Sequence, residues 1–337
     1  MKNFLASFGI LLALLMAVSA HAETIVLAVP GPGSISYLPV YLAKVIKADQ
    51  AEGLDLKLRY FNGGPAATRD LMSNNSDFLA VGLPSIADSR SDQMPILAIG
   101  QLSQSAMYVF LLRSELKDQV RSIAQLKGRR IGTTSSTSAQ RSMGHMMTEY
   151  LIQRAGLKPS EIQIISAGQN RETQSAALSS STVDAIMGDE PFASELVAKG
   201  VAVRLADLYS PIQSNELLGG PIVHAALATR EDVYTRHPET VEKVMRMFDR
   251  TLKWLSGHSA IEIADKLIGQ PGFDAANSKQ LADILHRNRG MFPSSVGWDQ
   301  QAVATTEEFF HNMARSPAEL NMPFAAFIRN IPGNKLH

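Results

Sequence analysis

Six consecutive hydroxyl side chains, Thr133, Thr134, Ser135, Ser136, Thr137 and Ser138, stand directly before a segment with helical periodicity. A helix N-terminus carries unsatisfied N–H groups and a partial positive charge. Hydroxyls add neutral donors there without a counter-charge, which suits an oxyanion such as a sulfonate, carboxylate or nitrate. The plainer alternative is capping, for which Ser136 or Ser138 alone would suffice. Asp189-Glu190-Pro191 has the opposite character. A carboxylate at a helix start can be a cap, or Glu190 can meet a ligand amine or N–H. If both places bind, the solute carries donors and acceptors. Further polar turns follow short apolar runs: Gly33, Ser34, Ser36 and Tyr37 ahead of Pro39; Gly63, Gly64 and Pro65; Gly82, Pro84 and Ser85; and Gln169-Asn170-Arg171. Arg69, Arg141 and Arg171 are candidate counter-charges or solvated helix residues.

Signatures of catalysis are missing. There is no Gly-x-Ser-x-Gly, no His-Glu-x-x-His and no phosphate-binding Gly-x-x-x-x-Gly-Lys-Ser/Thr. Gly31-Pro32-Gly33 lacks the third glycine of a dinucleotide fingerprint, so no cofactor is expected. The 8 His residues are scattered. His145 sits among Met143, Met146 and Met147, which reads as packing or surface, and that Met cluster as core. His224 opens an apolar strand and could reach a cleft.

The elements that must position these groups alternate. Strands are expected over 25–29, 54–61, 78–81, 96–101 and 107–112, with helices over 38–51 and 66–74. A second unit gives strands 130–133, 162–166, 185–187 and 201–205, with helices 138–155, 172–179 and 192–199. The strand 222–229 opens a mostly helical remainder. This order predicts an α/β fold of mainly parallel sheets, with the polar turns gathered at the carboxyl edges of the strands. Residues 109–115 and 225–231 echo each other: each is an apolar strand ending in an Arg and an acid. Either this is chance, or one domain is inserted in another with these two strands crossing between them. The insertion reading gives 23–112 plus 225–337 as a discontinuous first lobe and 113–224 as the second.

Residues 1–22 read as an export signal. Lys2 is followed by an apolar run over 4–18 and by Ala20-His21-Ala22, which places a cleavage site before Glu23. No later run is long enough to cross a bilayer, so the mature chain is expected to be soluble. The chain has 0 Cys, which excludes disulfides, thiolate metal sites and a lipid-modified N-terminal cysteine. Lys+Arg and Asp+Glu are both 32, which argues against nucleic acid as a partner. Nothing demands an oligomer, and a monomer is expected.

Three passages carry a family resemblance: Tyr37-Leu38-Pro39-Val40-Tyr41 with Glu52-Gly53-Leu54; Leu126-Lys127-Gly128-Arg129-Arg130-Ile131-Gly132; and Val183-Asp184-Ala185-Ile186 with Glu190-Pro191-Phe192. With Arg230 and His237-Pro238-Glu239 they resemble periplasmic substrate-binding proteins of the nitrate/sulfonate/taurine and thiamine-pyrimidine-precursor type. The resemblance implies a two-lobed type II fold with two crossover hinge strands. It also implies hinge closure on one small solute, and delivery to an ABC permease and ATPase at the inner membrane. A membrane sensor is the alternative partner. Ligand contacts carried over from the family are Ser34, Ser36, Tyr37, Gly64, Pro65, Pro84 and Ser85 on one lobe. On the other they are Ser135, Ser136, Thr137 and Glu190. Asp189 stands where the family often has an aromatic residue, and the Cys-rich motif of fungal pyrimidine synthases is missing.

Overall fold

Apolar, β-branched runs set the strands of this protein. The computed structural model describes residues 22–133, 141–167, 171–273 and 278–330. Ten strands are formed: β1 (Glu23–Pro30), β2 (Leu54–Phe61), β3 (Phe78–Gly82), β4 (Ile96–Gln101), β5 (Val109–Arg113), β6 (Arg130–Thr133), β7 (Gln163–Ser166), β8 (Ala185–Gly188), β9 (Ala202–Asp207) and β10 (Ala225–Arg230). They make two five-stranded sheets, ordered β2-β1-β3-β10-β4 and β7-β6-β8-β5-β9. Strands β3 and β10, and the edge strand β4, are buried along their whole length. Each fully buried Phe, Leu or Ile there contributes roughly 1.5–3 kcal/mol by leaving water.

Both sheets have one pattern: a parallel trio, then an antiparallel strand, then an edge strand. The antiparallel strand is β10 in the first sheet and β5 in the second. The sheets are therefore mixed, and the antiparallel member has a topological cause. The chain passes between sheets along 102–108 and back along 219–224, and each crossing arrives at the carboxyl edge of the parallel strands. Ala225, the first residue of β10, is level with Gly82, the last of β3. Val109, the first of β5, is level with Gly188, the last of β8. A strand that starts where its neighbours end must run against them.

This corrects the expected boundary. Strand 109–112, counted with the first unit, belongs to the second sheet, because the crossing lies upstream of it. Its apolar pattern identifies a buried strand but not the sheet that receives it. The echoed strands are thus the first strands after each crossing, and the crossings themselves are coil. The first crossing starts where the second ends: Leu102 N donates to the carbonyl of Ala225, the first residue of β10 (2.8 Å), and Ala225 N to Ser103 Oγ (3.0 Å).

Two helix limits also differ from expectation. The first helix runs Leu38–Val45 and stops before Lys47, which is left-handed at φ 59°. The helix expected from 138 is Met143–Arg154, capped by Ser142, which accepts from His145 N (3.2 Å). Ser136 and Ser138 lie outside the described residues. Among the described residues no helix is long and apolar enough to cross a membrane.

Candidate functional site

The polar turns of both sheets meet at one cavity. From the first sheet come Ser34, Ser36 and Tyr37 after β1, Gly64 after β2, and Gly82 and Ser85 at the end of β3. From the second come Ser142 and Met143 at a helix start, and Asp189 after β8. The crossings supply Tyr108 and His224, whose rings meet edge-on at 4.8 Å. The cavity is small, about 20 Å³.

The turn after β1 is built for this position. Gly31, Gly33 and Tyr41 bend it: Tyr41 donates its hydroxyl to Gly31 O at 2.8 Å. Gly33 is left-handed at φ 84°, and a Cβ there would lie 2.2 Å from Gly272 O. Only glycine fits both constraints. Ser34 then caps the short turn Ile35–Tyr37 by accepting from Ser36 N (3.3 Å). The same Ser34 hydroxyl donates to Asp189 across the cavity, and Ile35 N donates to Glu190 O at 3.1 Å. The two carboxyl edges are therefore hydrogen-bonded to each other.

Burial sets the charge state of the lining. It pushes the His224 imidazole down to about 3, so the ring is neutral near neutral pH. Burial, aided by the Asp189 carboxylate, raises the Tyr37 hydroxyl. Tyr108 is raised well above its ordinary value by burial, and further by Tyr37 and Asp189. Both phenols are therefore protonated donors. Asp189 is the charged side chain among the described lining residues. Two lining groups, Ser36 Oγ and His224 Nδ1, are fully buried and have no hydrogen-bond partner among the described residues; Thr133 Oγ1, at the end of β6, shares that state. Leaving such a group unmatched costs about 1–3 kcal/mol.

Of the residues expected to bind, Ser34, Ser36, Tyr37, Gly64, Ser85 and His224 line the cavity. Pro65 and Pro84 instead occupy first-turn positions of the helices Gly64–Met72 and Leu83–Ser91, where a missing N–H is harmless. Ser135, Ser136 and Thr137 lie outside the described residues. Glu190 points elsewhere: its carboxylate takes Arg204 Nη2 (2.6 Å), Ser194 N (3.0 Å) and Ser194 Oγ (2.9 Å). Of the acidic pair it is Asp189 that reaches the cavity. Sequence shows two adjacent carboxylates but not which one turns inward. Tyr108 and Ser142 were also missed, although Tyr108 immediately precedes an echoed strand and Ser142 caps a helix at the carboxyl edge. Arg69 is exposed, His145 pairs with Glu149 at 3.3 Å, and Met146 and Met147 are core.

A larger cavity, about 320 Å³, lies among Leu252, Leu255, Ile263, Leu285 and Phe292 in the helical remainder. Its lining is mainly apolar, with Ser256 as the polar side chain among its described residues, whereas specificity needs a few fixed polar groups. The smaller, polar cavity is therefore the candidate site. Among the described residues no cluster of His, Asp or Glu could hold a metal ion.

Solved structures share this fold. A protein of Bordetella bronchiseptica RB50 is 21% identical, with 91% of this chain and 95% of that one covered and a TM-score of 0.82. The alkanesulfonate-binding protein SsuA from Xanthomonas axonopodis pv. citri, bound to MOPS, is 17% identical, with 91% and 98% covered and a TM-score of 0.71. The periplasmic nitrate-binding protein NrtA from Synechocystis PCC 6803 is 13% identical, with 91% and 86% covered and a TM-score of 0.71. The fold also serves an enzyme: the desulfurization enzyme DSZB is 14% identical, with 91% and 96% covered and a TM-score of 0.62. These likenesses identify the periplasmic-binding-protein fold. The NMT1/THI5 like family model matches residues 36–260, the stretch from the Ser36 turn through both sheets, and this chain belongs to that family.

Proposed function

We propose that this chain is the periplasmic solute-binding component of an ABC import system. It is exported by the segment 1–22 and holds one small polar solute between two lobes. The first lobe comprises residues 23–108 with the segment from 225 onward, and the second 109–224. Closure of the lobes on the solute is the signal read by a membrane permease and its ATPase. The observation that carries this reading is the meeting of two carboxyl edges at a cavity holding the unmatched Ser36 Oγ and His224 Nδ1. The full set of contacts exists only when the lobes meet, so a solute bridging them favours the closed form by its differential affinity. The small volume supports entry in an open state followed by closure.

Hydroxyl donors and a neutral imidazole suit a sulfonate or carboxylate oxygen, and two structural neighbours are named for sulfonate and nitrate. Asp189 supports a second reading, a pyrimidine-like solute that presents an N–H to that carboxylate. An exported enzyme with His224 as its general base is disfavoured. A general base works best with a pKa near the operating pH, and burial holds His224 near 3.

Thermal shift against sulfonates, carboxylates and aminopyrimidines tests the site. At least one solute should raise the melting temperature, by a smaller increment in Ser36→Ala. An equal shift in wild type and variant would remove Ser36 from the site.

A further inference from the structure

Among the described residues the largest fully buried side chain is neither aromatic nor aliphatic but Arg141, 2% exposed, on the second-sheet side just before Ser142. One partner belongs to its own side: Nη1 donates to Glu149 Oε2 at 3.1 Å, on the helix Met143–Arg154. The others belong to the opposite side. Nη2 donates to Glu319 Oε2 and Nη1 to Met313 O, both at 2.7 Å. The Arg141 N–H donates to Asp88 Oδ2 (3.1 Å), and its carbonyl accepts from Ser85 Oγ (3.3 Å).

Those partners are anchored to the first sheet. Ser85 and Asp88 ride the helix that follows β3. Residues 313–319 follow the helix Gln300–Asn312, which packs on that same helix. The segment beyond returns to β4, where Ala98 N donates to Phe327 O (3.0 Å). Arg315 completes the cluster, donating to Asp88 Oδ1 (3.2 Å) and Glu319 Oε1 (3.1 Å). Asp88 and Glu319 are thus shared between the two guanidiniums, while Glu149 pairs with Arg141.

We propose that Arg141 is an interlobe latch, a positioning residue that biases the lobes toward the closed arrangement. This rests on the two-lobed solute-capture reading. The physical case is the all-or-none character of a buried ion cluster. Out of water a guanidinium is held only where carboxylates and carbonyls replace its hydration. Separating the lobes hands Arg141, Asp88 and Glu319 back to water together, so the cluster favours two discrete arrangements over a continuum. Burial raises the Asp88 carboxyl despite Arg141 and Arg315 beside it, as expected of a desolvated member. Burial also acts to raise Glu149, but His145 and Arg141 outweigh it and hold that carboxyl below its ordinary value.

With 0 native cysteines, two introduced ones are unique labelling sites. Spin labels at the exposed Lys57→Cys and Lys199→Cys report the cross-lobe distance, and a Lys57→Cys/Lys253→Cys pair reports within one lobe. Without added solute, Arg141→Met should lengthen and broaden the cross-lobe distribution and leave the control pair unchanged. Glu319→Gln, which keeps the side-chain shape, should shift it the same way, and the double variant little further. Should Arg141→Met fail to fold, Glu319→Gln carries the comparison. An unchanged cross-lobe distribution in the variants that fold, even with a lowered melting temperature, would overturn the latch and leave a static structural staple. A wild-type distance that ignores every sulfonate, carboxylate and aminopyrimidine counts against solute capture instead, and the variant comparison still decides the latch.

Discussion

His224 shows what the site demands of single residues. Its imidazole is fully buried, and its pKa falls from 6.5 to about 3. The sign of the pH effect follows. Between those values the unfolded chain takes up a proton that the folded chain refuses, so stability is intact above about pH 6.5 and declines as pH falls toward 3. The limiting slope is about 1.4 kcal/mol per pH unit, or ~2 kcal/mol by about pH 5. Thermal denaturation from about pH 7 to about pH 5 should show this loss, and His224→Asn should flatten it. Ser36→Ala separates site from scaffold by sign. Removing an unmatched buried hydroxyl should leave the solute-free melting temperature level or raise it, yet weaken solute binding by about 0.5–1.5 kcal/mol. A melting temperature that drops in parallel with affinity would show that Ser36 is structural.

At the scale of elements, Gly82 joins strand, turn and opposing lobe. It ends β3 with φ −61°, an ordinary conformation, so substitution adds no backbone strain. A Cβ there would lie 2.8 Å from Met143 Cβ on the second-sheet side and 3.3 Å from His224 O. Gly82→Ala should therefore act as a wedge, weakening solute binding at least several-fold while shifting the melting temperature by only a few degrees. Calorimetric titration beside a melting curve checks both. The elements were largely readable from sequence because local rules write them: a β-branched run for β1 and an apolar one for β3, Gly31 and Gly33 for a turn, Pro39 and Pro84 for helix starts. The sheet membership of β5 was not, since an apolar strand reads alike in either sheet and the crossing before it is irregular coil. The inward choice of Asp189 over Glu190 was equally hidden. It is decided by Arg204, fourteen residues away, which takes the Glu190 carboxylate. Arg141 was read as a counter-charge or a surface residue, because nothing local reveals partners at Asp88 and Glu319.

The whole molecule is one topological device used twice. Each sheet receives an antiparallel strand from the other side of the chain, so both crossings end at the edges where the polar turns gather. Tyr108 and His224 sit at the ends of those crossings and form part of the cavity lining, so in the proposed function solute contact and hinge share residues. Around them the lobes are tied at Ser34–Asp189, Ile35–Glu190 and the Arg141 cluster. The central claim is that solute binding and closure of the two lobes are the same event. Small-angle scattering with the panel of sulfonates, carboxylates and aminopyrimidines, paired with thermal shift on the same samples, tests it most directly. The account predicts that any solute raising the melting temperature also lowers the radius of gyration. A thermal shift at an unchanged radius of gyration, or a panel that alters neither, would contradict it.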